Sequence, residues 1–122
     1  MTELVTGVEA KLLSYSLVKS GKGLSVERAS GYSYKDLAYP FKNRQVEPLL
    51  VTIVPYEEDI KKYLHSHNGQ EFHYYLEGKA DVTIGEHIVR VEAGDSLYFD
   101  SRQPHGMKAV ECEKALFLVV VI

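Results

Sequence analysis

Residues 65–78 read HSHNGQEFHYYLEG, a stretch holding three of the chain's five histidines. It divides at Asn68–Gly69, a pair that favours a tight turn. Beyond the turn, EFHYYLEG is aromatic and strand-like. At a period of two, Glu71, His73, Tyr75 and Glu77 share one side of that strand, and Phe72, Tyr74 and Leu76 share the other. Ahead of the turn, His65 and His67 stand two apart, so in extended chain both imidazoles point the same way. Two readings stay open on spacing alone: a metal site, or a polar turn followed by an aromatic strand.

The rhythm of short strands and turns continues in both directions. Downstream, KADVTIG alternates, with Glu77, Gly78 and Lys79 expected at a hairpin. HIVRV, SLYFD and HGMKAVE follow as strands, separated by the EAGDS turn and the RQPHG loop. The run ALFLVVVI is dominated by β-branched residues and reads as a buried strand. Its eight residues fall far short of the about 20 that a membrane helix needs. Upstream, LSVERAS and YSYKDLAY flank a turn at Gly31, and Pro40 stops the second segment. PFKNRQ is a loop, and VEPLLVTIVPY a strand in which Pro48 requires an edge, a bulge or a strand start. EEDIKK reads as a charged linker, and VEAKLLSYSLV as a short helix or irregular strand. About nine or ten short strands so spaced predict an all-β barrel or sandwich.

At 122 residues the chain fits a single domain with a real hydrophobic core. The formal charge is −3 and the 14 Lys and Arg residues are scattered, which gives nucleic-acid binding no basic footprint. Cys112 is the only cysteine, which excludes an intrachain disulfide and suits a reducing compartment. The first residues, MTELVTGVEAKLL, lack the apolar run of a signal peptide, so a cytoplasmic location is expected, with no membrane partner.

Imidazoles with one carboxylate form a borderline donor set suited to Fe, Mn, Ni, Co or Zn as divalent ions. His65, His67 and Glu71 offer such a set, and His105 is a further imidazole in a separate loop-to-strand entry. The pattern His65-Ser66-His67, three residues, Glu71, six residues, Gly78 resembles the first motif of the cupin superfamily. The run from Gly94 through Asp100 and Arg102 to His105 resembles its second motif. The resemblance implies a double-stranded β-helix, or jelly roll, binding one divalent metal ion through His65, His67, Glu71 and His105. It places the barrel at residues 45–121 of a single 1–122 domain, with 1–24 as an N-terminal extension. The sequence departs from the motifs at Asp59, Asp100, Arg102 and Ala109, positions that shape turns rather than bind metal. The chain is also similar to the effector-type cupin domains that follow a helix-turn-helix module in some bacterial regulators. The first 24 residues cannot hold such a module, so DNA binding is not expected to carry over.

Around the site, His73 and Tyr75 are candidates for substrate contact, proton transfer, donation to a metal ligand or plain core packing. Arg102 is a candidate partner of a ligand carboxylate, and Tyr98, alternating with Leu97 and Phe99, is a candidate for the cavity or for a subunit interface. His87 is expected to be exposed, Cys112 an interior or edge residue, and Tyr32, Tyr34 and Tyr39 either a cap on the barrel mouth or packing. Three functions follow: a metal-dependent enzyme acting on a small organic molecule, a non-catalytic sensor-like module binding one, or a structural cupin. The last needs none of the four ligand positions. A homodimer is expected, pairing through the strands around residues 24–38 and an apolar LFLVVVI edge.

Overall fold

The computed structural model describes residues 14–26 and 32–122. Nine strands follow one another: β1 (Leu24–Val26), β2 (Ser33–Asp36), β3 (Glu47–Ile53), β4 (Gln70–Glu77), β5 (Lys79–Ile84), β6 (His87–Glu92), β7 (Ser96–Asp100), β8 (His105–Ala109) and β9 (Ala115–Val121). They form two antiparallel sheets, one in the order β1-β2-β3-β9-β4-β7 and one in the order β6-β5-β8. This is the expected all-β jelly roll, with the chain crossing repeatedly between sheets. None of the described helical segments is long and apolar enough to cross a membrane.

The alternation of side chains builds the core. Leu49, Val51 and Ile53 of β3, Phe117 and Val119 of β9, Ala80 and Val82 of β5, and Met107 and Ala109 of β8 are all buried between the sheets. Each large apolar side chain so buried contributes about 1.5–3 kcal/mol. On β4 the inward row is Glu71, His73 and Tyr75, so a carboxylate and an imidazole enter an otherwise apolar interior.

Two expectations are corrected here. Glu77, Gly78 and Lys79 do not make a hairpin, because β4 and β5 belong to different sheets. A register shift between Tyr75 and Glu77 bends β4, and Gly78 at φ +83° turns the chain across the sandwich. A Cβ there would lie 2.4 Å from the Lys114 carbonyl oxygen, so only glycine fits the corner. Nor is LFLVVVI an edge: β9 lies between β3 and β4 and bonds to both. Pro48 is the second residue of β3, in keeping with a strand start. The linker EEDIKK runs into a 3-10 turn, Ile60–Tyr63, whose Lys61 amide donates to Asp59. The segment VEAKLLSYSLV lies partly outside the described residues, and from Ser14 to Val18 it has no regular structure. The end of LSVERAS and the Gly31 turn also fall outside them.

The tyrosines near the mouth have distinct places. Tyr34 is buried in the core. Tyr32 Oη donates to the Met107 carbonyl at 2.8 Å and accepts from the Met107 N–H at 2.8 Å. That side chain thereby imitates a neighbouring strand along the open edge of β8. Tyr56 Oη donates to the same carbonyl at 2.8 Å. Its ring packs 4.3 Å from that of Tyr63, which tilts against it.

Candidate metal centre

Backbone pairing carries the site residues to one point. His65 and His105 form a two-residue bridge, with N–H to O=C bonds of 3.0 and 2.9 Å. The His67 amide donates to the Ser101 carbonyl, and the Ser101 amide donates to that of Gly69, both at 3.0 Å. Gly69 adopts φ +106°, and a Cβ there would lie 2.1 Å from the Ile122 carbonyl oxygen. The turn is therefore clamped, and it aims Glu71, the second residue of β4, inward.

Ligand atoms of His67, Glu71 and His105 all lie within 4.8 Å of one another. Glu71 Oε2 is 2.6 Å from His67 Nε2 and 3.2 Å from His105 Nε2. His65 stands beside this set, with its ring centroid 4.4 Å from that of His105 and 6.2 Å from that of His67. All three imidazoles present Nδ1 to a backbone carbonyl: His65 to Tyr63 at 3.3 Å, His67 to Asn68 at 3.1 Å and His105 to Gln103 at 2.8 Å. A carbonyl only accepts, so Nδ1 carries the proton and the lone pair of a neutral ring sits on Nε2.

That arrangement suits a cation. A lone pair at Nε2 and a carboxylate oxygen 2.6 Å apart repel unless they share a proton or are both bound to a cation. The 3.2 Å contact at His105 is too poorly aligned for a hydrogen bond, and Nε2 is one of two buried side-chain atoms without such a partner among the described residues. The other is Ser101 Oγ.

Electrostatics within the cluster follow from burial and proximity. Burial opposes ionisation of Glu71, but the imidazoles of His105 and His73 outweigh it and hold the carboxyl well below the usual range. Burial lowers His65. For His105 burial is again opposed, and Glu71 with the Gln103 carbonyl raises it above the ordinary histidine value.

A cavity of about 420 Å³ opens onto the cluster. His65, His67 and Glu71 line it beside Leu49, Val51, Met107 and Val119, with Tyr34 and Lys62 also on the wall. His73 and Tyr75 do not line it. They are 0% and 2% exposed and stand behind Glu71. Arg102 is 71% exposed at its side chain and pairs with Asp100 at 2.7 Å, not with Glu71. Tyr98 lies on the outer surface and donates to Gln70. His87 is exposed, and Cys112 is half-buried against Lys79, away from the cluster. Sequence reasoning missed the carbonyls that fix the imidazoles, and it missed Lys62, which sits in the stretch read as a charged linker. No residue-type pattern marks either.

Solved structures share this architecture. An Fe(II)-bound HppE superposes with a TM-score of 0.70 at 18% identity, covering 89% of this chain and 60% of its own. A hydroxypropylphosphonic acid epoxidase from S. wedmorenis in complex with fosfomycin gives 0.66 at 19% identity, covering 88% and 59%. The chain thus spans about 60% of the length of these enzymes. An RmlC-like cupin from Shewanella frigidimarina NCIMB 400 gives 0.68 at 18% identity, covering 88% and 90%. No curated protein matches. At these identities the likeness speaks for the fold, and the sequence itself supplies the rest: residues 49–121, more than half the chain, match the model of the cupin domain, so the chain belongs to the cupin family.

Proposed function

We propose that the protein binds one divalent metal ion, Fe, Mn, Ni, Co or Zn, and uses it to hold a small organic molecule in the adjoining cavity. His67, Glu71 and His105 are the donors, and His65, on the cavity wall and bridged to His105, is the fourth. The observation that carries this reading is the convergence of two Nε2 atoms on Glu71 Oε2 at the edge of an apolar cavity. A bound divalent ion would supply Lewis acidity toward an oxygen of that molecule. The chain's own part is to fix the donors through carbonyl-bound Nδ1 groups and to shield the ligand with Leu49, Val51, Met107 and Val119. A catalytic reading draws support from His67 and Glu71 lining the cavity, which would put a bound molecule next to the metal. The exposed Tyr74, Leu76 and Tyr98 on the outer face of the large sheet support a homodimer, and the lone cysteine supports a cytoplasmic setting.

Elemental analysis of the full chain, purified without chelator, should give one metal ion per chain. The His65→Ala, His67→Ala double variant should lose it. Equal metal content in the two proteins would sink the ligand assignment.

A further inference from the structure

Glu71 has two oxygens with different surroundings. Oε2 faces His67 and His105, whereas Oε1 lies 2.8 Å from His73 Nε2. The other nitrogen of His73, Nδ1, lies 2.7 Å from Tyr75 Oη. A carboxylate oxygen only accepts, so His73 Nε2–H donates to Oε1, and Nδ1 then accepts from the Tyr75 hydroxyl. The resulting chain runs Tyr75 O–H to His73 to Glu71 along the inward row of β4. Its geometry is rigid: the His73 ring is fully buried, with the rings of Phe99 and Phe117 centred 5.0 and 5.1 Å away.

From this geometry we infer that His73, oriented by Tyr75, is a positioning residue that makes Glu71 a one-oxygen metal ligand. The inference rests on the metal-binding reading above. A carboxylate with both oxygens free can chelate through both and fill an extra coordination position. With Oε1 held by His73, only Oε2 is presented, and the position that Oε1 would take stays available to a molecule entering from the cavity. Neither His73 nor Tyr75 touches that molecule, since both lie behind the carboxylate. A buried histidine kept only for packing would leave the coordination geometry indifferent to its donor.

Cobalt(II) titration of the full chain tests this, because affinity and the visible d–d bands report coordination independently of turnover. His73→Phe keeps a ring but removes the donor, and it should weaken Co(II) binding by about 10–100-fold and change the bands toward higher coordination number. His73→Gln retains an N–H donor and should stay within about threefold of wild type with the original bands. Tyr75→Phe should move both readouts in the direction of His73→Phe by less than about tenfold. Wild-type affinity and bands in a folded His73→Phe protein would overturn the inference, as would a His73→Gln protein no better than His73→Phe. Should His73→Phe fail to fold, a Tyr75→Phe protein unchanged in both readouts overturns it. A wild-type chain that gives no Co(II) bands overturns the metal reading itself, and this inference with it.

Discussion

Glu71 and His105 sit on strands and are 5% and 0% exposed, whereas His65 and His67 occupy the irregular segment before β4 and the His67 side chain is 35% exposed. The buried pair is held from behind, Glu71 by His73 and His105 by the Gln103 carbonyl. The segment pair is held mainly through backbone contacts to His105 and Ser101. One half of the site is therefore preformed by the sandwich, and the other half leans onto it. Rigid donors set where a metal sits, and adaptable donors complete its coordination.

Removing one donor from each half should break the equivalence that a set of four ligands implies. Glu71→Gln should weaken metal binding by more than the roughly 100-fold that an outer partner costs. His65→Ala should cost only about tenfold, the scale of an outer partner. Competition titration against a chelator measures both, and equal losses would show that the halves do not differ. Metal-free stability sharpens the same contrast. His105→Ala empties a buried site and should cost about 2–3 kcal/mol. His67→Ala, at the exposed end, should stay within about 1 kcal/mol in urea unfolding.

The preformed half also depends on the tyrosines that hold Met107, two residues beyond His105. Tyr32→Phe leaves the Met107 N–H without its acceptor and should cost about 1–2 kcal/mol. The smallest effect is alkaline. Burial pushes the Tyr32 and Tyr56 phenols above their ordinary value of 10.0. Below pH 10 both folded and unfolded chains keep these protons, so the contribution is intact. Above it the unfolded chain ionises first, and stability is lost as pH rises through the folded values. Unfolding midpoints measured on either side of pH 10 should show a shallower loss in the Tyr32→Phe variant.

Much of this was legible in the sequence. The alternation of Glu71, His73 and Tyr75 gives their shared inward face, and the motif resemblance names His67, Glu71 and His105, whose ligand atoms converge, with the His65 ring beside that of His105. The rest depends on contacts without a local signature. Gly78 carries the same residue type whether it closes a hairpin or turns a corner between sheets, and only the neighbouring Lys114 carbonyl decides which. An apolar run such as 115–121 suits an edge that pairs with another chain as well as a strand paired on both sides. Tyr32 meets Met107 across 75 positions, a distance over which residue type says nothing about partnership. Arg102 found the carboxylate two residues away in Asp100 before any in the cavity.

The central place of β9 bears on how quickly the molecule assembles. Its partners β3 and β4 begin at Glu47 and Gln70, so the large sheet cannot close until residues 115–121 reach back across much of the chain. Loop closure over such separations precedes the contacts that reward it, which puts refolding in roughly the millisecond-to-second range of non-local β proteins. Until that pairing forms, β4, with Glu71 on its inward row, lacks its β9 neighbour.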